Sequence, residues 1–494
     1  MRWAGSLGPQ LFAMPILLLT VVLVPWVAKE ISIERYRLFM IVGLAALQLF
    51  FAMRWWQLSV YIFLSYVMVE GFVINYYGGT PELNVLKDAL LLVLAFILAV
   101  RLHQNRLSML PSAPWLVLFF GFSFIYVAAA FNPALPSILV GVVGIRVTLL
   151  YFVCFLIGYW FFQYRGQVAR FLRFQAWISL PICIFGLAQY ISGPDLLLRI
   201  SPGFSRAIFY GFNPNDPGAG RFFRTIGTFA STGGFAQYLW ATIPMTCALY
   251  LLLPRARERS MVGGCIALQV CTLLSTGSRG ALLFIILALA LTLLLMERSV
   301  RSFVALAAML VFAFAGSSIL GSTVQSRFST ILEPDTVLER NMAIGVGQFV
   351  YAMEAPVQGV GAGRLASAAY RLRPEMELLG VENQVARIRF ESGLAGMIVF
   401  IAFAATMFLD AHRTALRLRT PAFRTAGTFV TGYLMTVLLS LPIGLPLDVS
   451  PTNVYLWFLS GMLYAMRKLE LAESQLQAQA AGRPLSAPAV QYAQ

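Results

Sequence analysis

The stretch Val385-Ala-Arg-Ile-Arg-Phe-Glu-Ser-Gly-Leu-Ala-Gly-Met-Ile-Val-Phe-Ile-Ala-Phe-Ala-Ala-Thr-Met-Phe-Leu409 decides the fold. From Leu394 onward it carries no charge, and the whole is long enough for a helix to cross a bilayer, which takes about 20 mostly apolar residues. In hydrocarbon every backbone polar group must be satisfied within the chain, so such a segment is a helix. Working outward, comparable runs predict spans at 11–28, 36–53, 56–76, 86–101, 114–131, 144–163, 170–191, 235–253, 261–276, 280–296, 302–321, 385–409, 425–441 and 451–466. The predicted class is therefore all-α: a polytopic integral membrane protein of about 14 transmembrane helices with a large external helical loop.

Composition agrees. Of 494 residues 59% are hydrophobic and 12% charged, both displaced from the soluble range in the membrane direction. The first run, 11–28, has one preceding basic residue and no small-residue cleavage site, and reads as an uncleaved span. Five cysteines, Cys154, Cys183, Cys247, Cys265 and Cys271, lie in apolar stretches without metal or disulfide spacing.

The formal net charge of +15 would in a soluble chain raise nucleic-acid binding. Sidedness gives another reading. Short basic loops follow every even-numbered span: Arg54; Arg101 and Arg106; Arg165, Arg170 and Arg173; Arg255, Arg257 and Arg259; Arg298 and Arg301; Arg413, Arg417, Arg419 and Arg424. By the bias of Arg and Lys these faces are cytoplasmic. Inside fall 19 basic and 5 acidic residues, outside 17 and 16. The excess is a topology signal, and no nucleic-acid partner is implied.

The organisation follows: amino-terminal helices over 1–191, core helices with a first external loop over 192–321, a large external loop over 322–384, carboxy-terminal helices over 385–466 and a cytoplasmic tail over 467–494. External loops of about 40 and 60 residues exceed mere connections. Four features sit in or beside them. Arg221-Phe-Phe-Arg224 places two arginines at i and i+3, and guanidinium suits phosphate oxygens; an interfacial arginine beside lipid headgroups is the alternative. Ser275-Thr-Gly-Ser-Arg279-Gly is a tight connection with a charge at the membrane, expensive unless it faces a cavity; an ordinary polar turn is the alternative.

Residues 337–353 read as an amphipathic helix with Arg340 off the apolar stripe, followed by Gly359-Val-Gly-Ala-Gly363, whose exposed N–H groups around Gly361 could bind an anion. No Walker sequence follows, which argues against nucleotide. Finally, Glu382-Asn383-Gln384 with Arg387, Arg389 and Glu391 crowds the mouth of the opening stretch. Arg387 and Glu391 stand at i and i+4, the spacing of an ion pair; Glu382 has no such local partner and is the better base.

Arginines and a carboxylate on one membrane face suit a substrate with a diphosphate leaving group and a hydroxyl that loses a proton. No carboxylate or histidine cluster has metal-ligand spacing, so no cofactor or metal is called for. The order of the motifs, Arg224-x-x-Gly-Thr-Phe, Ser275-Thr-Gly-Ser-Arg279-Gly, the loop with Arg340 and Ala355-Pro-Val-Gln-Gly-Val-Gly-Ala-Gly363, and Glu382-Asn383 with Glu391-Ser-Gly-Leu-Ala-Gly396, resembles the O-antigen ligase/Wzy-type polysaccharide polymerase superfamily over about 220–410. The resemblance implies a metal-independent membrane glycosyltransferase of the bacterial inner membrane, its site facing the periplasm. It would act on undecaprenyl-diphosphate-linked oligosaccharide, and a polysaccharide copolymerase is the partner it implies. Glu382, Arg224 and Arg279 are the candidate catalytic residues. Arg221, Arg340, Gly361, Asn383, Arg387 and Arg389 are the candidate substrate-binding residues.

Ligases of that superfamily usually carry histidine where this chain has Glu382, and His103 and His412 fall on cytoplasmic segments. A polymerase is favoured over a ligase that moves a finished glycan to lipid A core. The rival of another class is a fourteen-helix lipid-oligosaccharide flippase or other transporter. Repeat symmetry and mid-membrane charge mark that class; the chain has no repeat, and among its intramembrane charges Glu70 stands apart.

Overall fold

A computed structural model describes residues 36–78, 83–105, 110–212, 223–296, 342–366 and 380–480. Among the described residues there are helices and turns and no strand. The helices are α1 (Tyr36–Arg54), α2 (Trp56–Tyr76), α3 (Leu83–Gln104), α4 (Trp115–Ala129), α5 (Ile138–Phe161), α6 (Arg165–Ser192), the short α7 (Asp195–Ile200) and α8 (Ser205–Gly211), then α9 (Thr232–Leu252), α10 (Ala256–Ser275), α11 (Arg279–Leu295), the short α12 (Gln348–Met353), α13 (Gln384–Leu416), α14 (Pro421–Leu439) and α15 (Thr452–Ala480). Twelve of the runs expected from sequence coincide with helices; 11–28 and 302–321 lie outside the described residues. By length and apolarity together, five helices among the described residues suffice to cross a membrane: α2, α5, α6, α9 and α13.

Helix association in lipid gains little from hydrophobicity and depends on close packing at small residues. The contacts show it. A Cβ on Gly158 of α5 would lie 2.2 Å from the carbonyl oxygen of Phe458, and one on Gly461 of α15 2.2 Å from that of Phe155, so α5 and α15 touch backbone to backbone. Gly432 gives α14 the same intimacy with Ala288 of α11. Helix α9 lies innermost, packed by α6, α10, α11, α14 and α15, with Tyr238, Leu239 and Trp240 buried.

The bundle has two chemically distinct ends. At one, Glu470 of α15 accepts the backbone N–H of Arg419 (3.0 Å) and Thr420 (2.6 Å), Arg165 pairs with Glu473, and Arg467 donates to the carbonyl of Arg417 (3.0 Å). This basic end joins the start of α6, the end of α13, the start of α14 and the later part of α15. Helix α6 carries the chain about 40 Å at 1.5 Å per residue to the other end, where the candidate motifs lie.

That second end is built from the closing turns of α2, α6, α10 and α14 and the opening turns of α9, α11, α13 and α15. Between α8 and α9, the segment 226–230 is held from two sides. Gln189 accepts the N–H of Ile226 (3.2 Å) and Gly227 (3.0 Å) and donates to the Gly227 carbonyl (2.8 Å). Phe72 N–H donates to the Thr228 carbonyl (2.7 Å), and Asn75 donates to that of Phe229 (3.3 Å). Gly71 of α2 is required here, since a Cβ would fall 1.9 Å from Ala230 N.

Candidate functional site

Arg224 follows directly into this held segment. Its Nε donates to the Thr276 carbonyl (2.9 Å), its neighbour Thr225 donates its N–H to the Ser275 carbonyl (3.4 Å), and the two hydroxyls Thr225 Oγ1 and Ser275 Oγ share a hydrogen bond (2.9 Å). Thr276 and Gly277 form the turn between α10 and α11, with Gly277 at φ +60°, a conformation that favours glycine. Arg279 opens α11 one residue after Ser278. The first two motifs, about 50 residues apart in sequence, are thus one structural unit, with Arg224 tethered at the base of the turn that presents Arg279. Arg221 and Arg340 lie outside the described residues.

The fourth motif begins the neighbouring helix α13. Asn383 caps it: Oδ1 accepts Ala386 N–H (2.9 Å), while Nδ2 donates to the Gly345 carbonyl (2.9 Å). Such a cap satisfies a backbone donor that the helix leaves open. Glu382, one residue earlier, is exposed, and its backbone N–H donates to Gln348 Oε1 (2.7 Å). The same oxygen accepts Asn383 N–H (3.0 Å), and Gln348 Nε2 donates to the Gly380 carbonyl (3.2 Å). Helix α12, preceded by a π-helical turn at Ala343–Gly347, is therefore clipped to the approach of α13. This is the described part of the helix expected over 337–353.

Past the cap, α13 turns inward with its charges. Arg387 is 1% exposed and bonds Glu391 (Nε to Oε1, 3.2 Å) and Asp448 of the α14–α15 connection. Glu391 also accepts Leu365 N–H (2.9 Å) and the Tyr126 hydroxyl, which itself accepts from Thr148 (3.0 Å). The i, i+4 pairing of Arg387 and Glu391 is present, enlarged to a network that joins α13 to α4, α5, the loop at Leu365 and the α14–α15 connection. Arg389 is spent on backbone carbonyls of Ala355 (2.8 Å) and Pro356 (3.0 Å).

The glycine-rich turn does something other than present its N–H groups to an anion. Helix α13 breaks at Gly393 (φ +74°), and a broken helix at membrane depth needs other partners for its backbone. The turn supplies them: Val360 N–H donates to the Phe390 carbonyl (2.9 Å), Gly361 N–H to that of Glu391 (3.0 Å), and Leu394 N–H donates back to Val357 (2.8 Å). Gly359 N–H and Ala362 N–H are engaged by Pro356 (2.8 Å) and Ala129 (3.1 Å). The sequence expectation of exposed donors around Gly361 is thus corrected: these groups splice a broken helix.

One segment joins everything. The connection 440–451 accepts Gln384 N–H at the Leu441 (2.9 Å) and Gly444 (3.1 Å) carbonyls, carries Asp448 to Arg387, and donates from Ser450 Oγ to Glu70 Oε2 (3.2 Å). Glu70 pairs with Lys87 (2.9 Å), and next to it Asp88 binds Arg146 and the Tyr151 hydroxyl (2.8 Å). Thr452 then reaches Gln237 of α9 (2.7 Å), five residues along the helix from Thr232, which donates to the Arg224 carbonyl (3.2 Å). Gln348 and Asp448 escaped the sequence reading. Asp448 had a signal, as the single acidic residue in 442–451 beside the membrane; Gln348 had none.

No protein-family model and no curated protein matches this chain.

Proposed function

We propose that the protein polymerises undecaprenyl-diphosphate-linked oligosaccharide repeat units into exopolysaccharide, capsule or O-antigen at the periplasmic face of the bacterial inner membrane. The observation that carries the reading is the tether of Arg224 to Thr276, which sets two arginines from distant motifs at one turn. A pair of planar donors at the opening of a helix is a fitting cradle for a diphosphate. Fourteen spans with both termini inside accompany this reading; the segregation of Arg165, Arg413, Arg417 and Arg419 from the motif end supports that orientation.

In the proposed reaction an acceptor sugar hydroxyl attacks the anomeric carbon of the lipid-linked donor. The new carbon–oxygen bond forms as the bond to phosphate breaks, and the electron pair leaves on the diphosphate, where Arg224 and Arg279 balance the developing charge. The hydroxyl proton passes to Glu382, whose exposed position gives it access to an incoming chain. Asn383 fixes that carboxylate's backbone through its cap. Arg387 and Arg389 shape the mouth of α13 from within.

Purified protein given lipid-linked repeat units, without nucleotide or added metal, is expected to yield a ladder of lengthening glycans. Absence of elongation by protein that binds the donor would sink the reading. R224A and R279A should abolish elongation while lipid-linked repeat units still reach the outer face in cells; repeat units trapped inside would favour a transporter. Transfer of a finished chain to lipid A core, without a ladder, would identify a ligase.

A further inference from the structure

Buried polar atoms are almost always hydrogen-bonded, and those that are not call for a reason. At the mouth of α13 several stand together. Gln384 is fully buried, yet among the described residues neither its Nε2 nor its Oε1 has a partner. Arg387, one helical turn on and 1% exposed, leaves Nη2 without a partner among the described residues, and Asp448, bound to Arg387 through one oxygen, leaves Oδ1 likewise. Residues at i and i+3 share a helix face, and the connection 440–451 that carries Asp448 also accepts the Gln384 backbone. Arg387 and Asp448 are bonded to each other, and Gln384 lies on the same face of α13 with its backbone held by the segment that carries Asp448.

Its chemistry is mixed. Gln384 offers a donor and an acceptor, Arg387 a donor, Asp448 an acceptor. Glu391 adds a second carboxylate against the single guanidinium of Arg387. A diphosphate needs donors and positive charge and is repelled by such a set. Adjacent sugar hydroxyls, each donating and accepting, match it. We propose that Gln384, Arg387 and Asp448 form a subsite for ring hydroxyls of the incoming glycan, separate from the Arg224–Arg279 turn; naming that glycan as the acceptor rests on the polymerase reading.

A group kept for a ligand costs the free protein stability, because an unpaired buried amide is unfavourable. Gln384→Met, of similar shape without the amide, should then melt in detergent at the wild-type temperature or above it. It should bind the water-soluble repeat-unit oligosaccharide, freed from its lipid by mild acid, at least about tenfold more weakly, the loss of one to two good hydrogen bonds. Binding of undecaprenyl diphosphate should be unchanged. Asp448→Asn provides a second variant that keeps the shape and one acceptor, with a smaller loss expected.

Oligosaccharide binding by Gln384→Met equal to wild type overturns the subsite, as does a wild-type protein that binds no oligosaccharide. A clear fall in melting temperature for Gln384→Met also overturns it, since the amide would then be a structural partner. Wild-type protein that binds the oligosaccharide through Gln384 but never elongates it leaves the subsite standing and removes the polymerase reading instead.

Discussion

Gly144 of α5 and Gly363 of the glycine-rich turn meet backbone to backbone. A Cβ on Gly144 would lie 2.4 Å from Gly363 N, and one on Gly363, which also has φ +79°, would lie 2.2 Å from the Val140 carbonyl oxygen. No neighbour there is a flexible side chain end that could yield. Gly144→Ala should therefore destabilise by about 1–3 kcal/mol through overpacking, and Gly363→Ala by more because the left-handed backbone adds its own strain. Thermal melts in detergent check both, and a melting temperature equal to wild type for Gly363→Ala would contradict the packing.

Gln348 holds two backbone donors at once. Gln348→Ala releases Glu382 and Asn383 from α12, at a cost of about 1–2 kcal/mol for partly exposed bonds. Under the proposed polymerase activity the expected outcome is slower elongation with donor binding retained, because the released segment carries Glu382. Gln348→Glu keeps the acceptor for both N–H groups and loses the bond to Gly380, so it should recover most of the rate. Equal rates for Gln348→Ala and wild type would separate α12 from the site.

Arg387 lies between two carboxylates. Removing one partner of a buried pair leaves an uncompensated charge, typically about 3–5 kcal/mol. Arg387→Met should thus be among the most damaging single changes, and the double variant Arg387→Met, Glu391→Gln less damaging than Arg387→Met alone. Folding yield and melting temperature of Arg387→Met, Glu391→Gln and the double variant, each against wild type, measure the coupling; strict additivity would mean the pair contributes nothing.

Lys468 sits two residues beyond the proposed last span, with Nζ 3.5 Å from the centre of the Trp160 ring. Burial against that ring pushes its amine down to about 8 from an ordinary 10.5. The folded state then disfavours the proton that the unfolded chain keeps, so stability rises as pH increases from about 8 to about 10.5 and the burden is fully present below 8. Amine acylation at Lys468 should show a midpoint near pH 8, well below that of ordinary lysines. In sealed right-side-out vesicles the proposed orientation predicts that an impermeant reagent spares it.

The helices were legible because apolar run length is a local property. The run 56–76 reappears as α2 with the same ends, and 144–163 and 235–253 as α5 and α9 with shifted starts. Arg224 and the Ser275–Arg279 turn were each visible as motifs. Their union was not, for it depends on Gln189 and Asn75 seating the intervening backbone, and neither residue differs in pattern from any buried amide. The glycine run at 359–363 misled for a related reason: glycine marks where backbone approaches something closely, while the partner, here the broken turn of α13, is set by tertiary structure.

The connection 440–451 touches Glu70 through Ser450, Arg387 through Asp448 and α13 through Gln384. Helices α2 and α3 hold none of the recognised motifs, yet they grip one end of the strap on which the mouth of α13 leans. A substitution at Lys87, in a region whose sequence says nothing about chemistry, would thus be felt at the mouth of α13 in the carboxy-terminal half. Divergence in the first helices becomes a route to a reshaped mouth of α13 with every motif residue left in place.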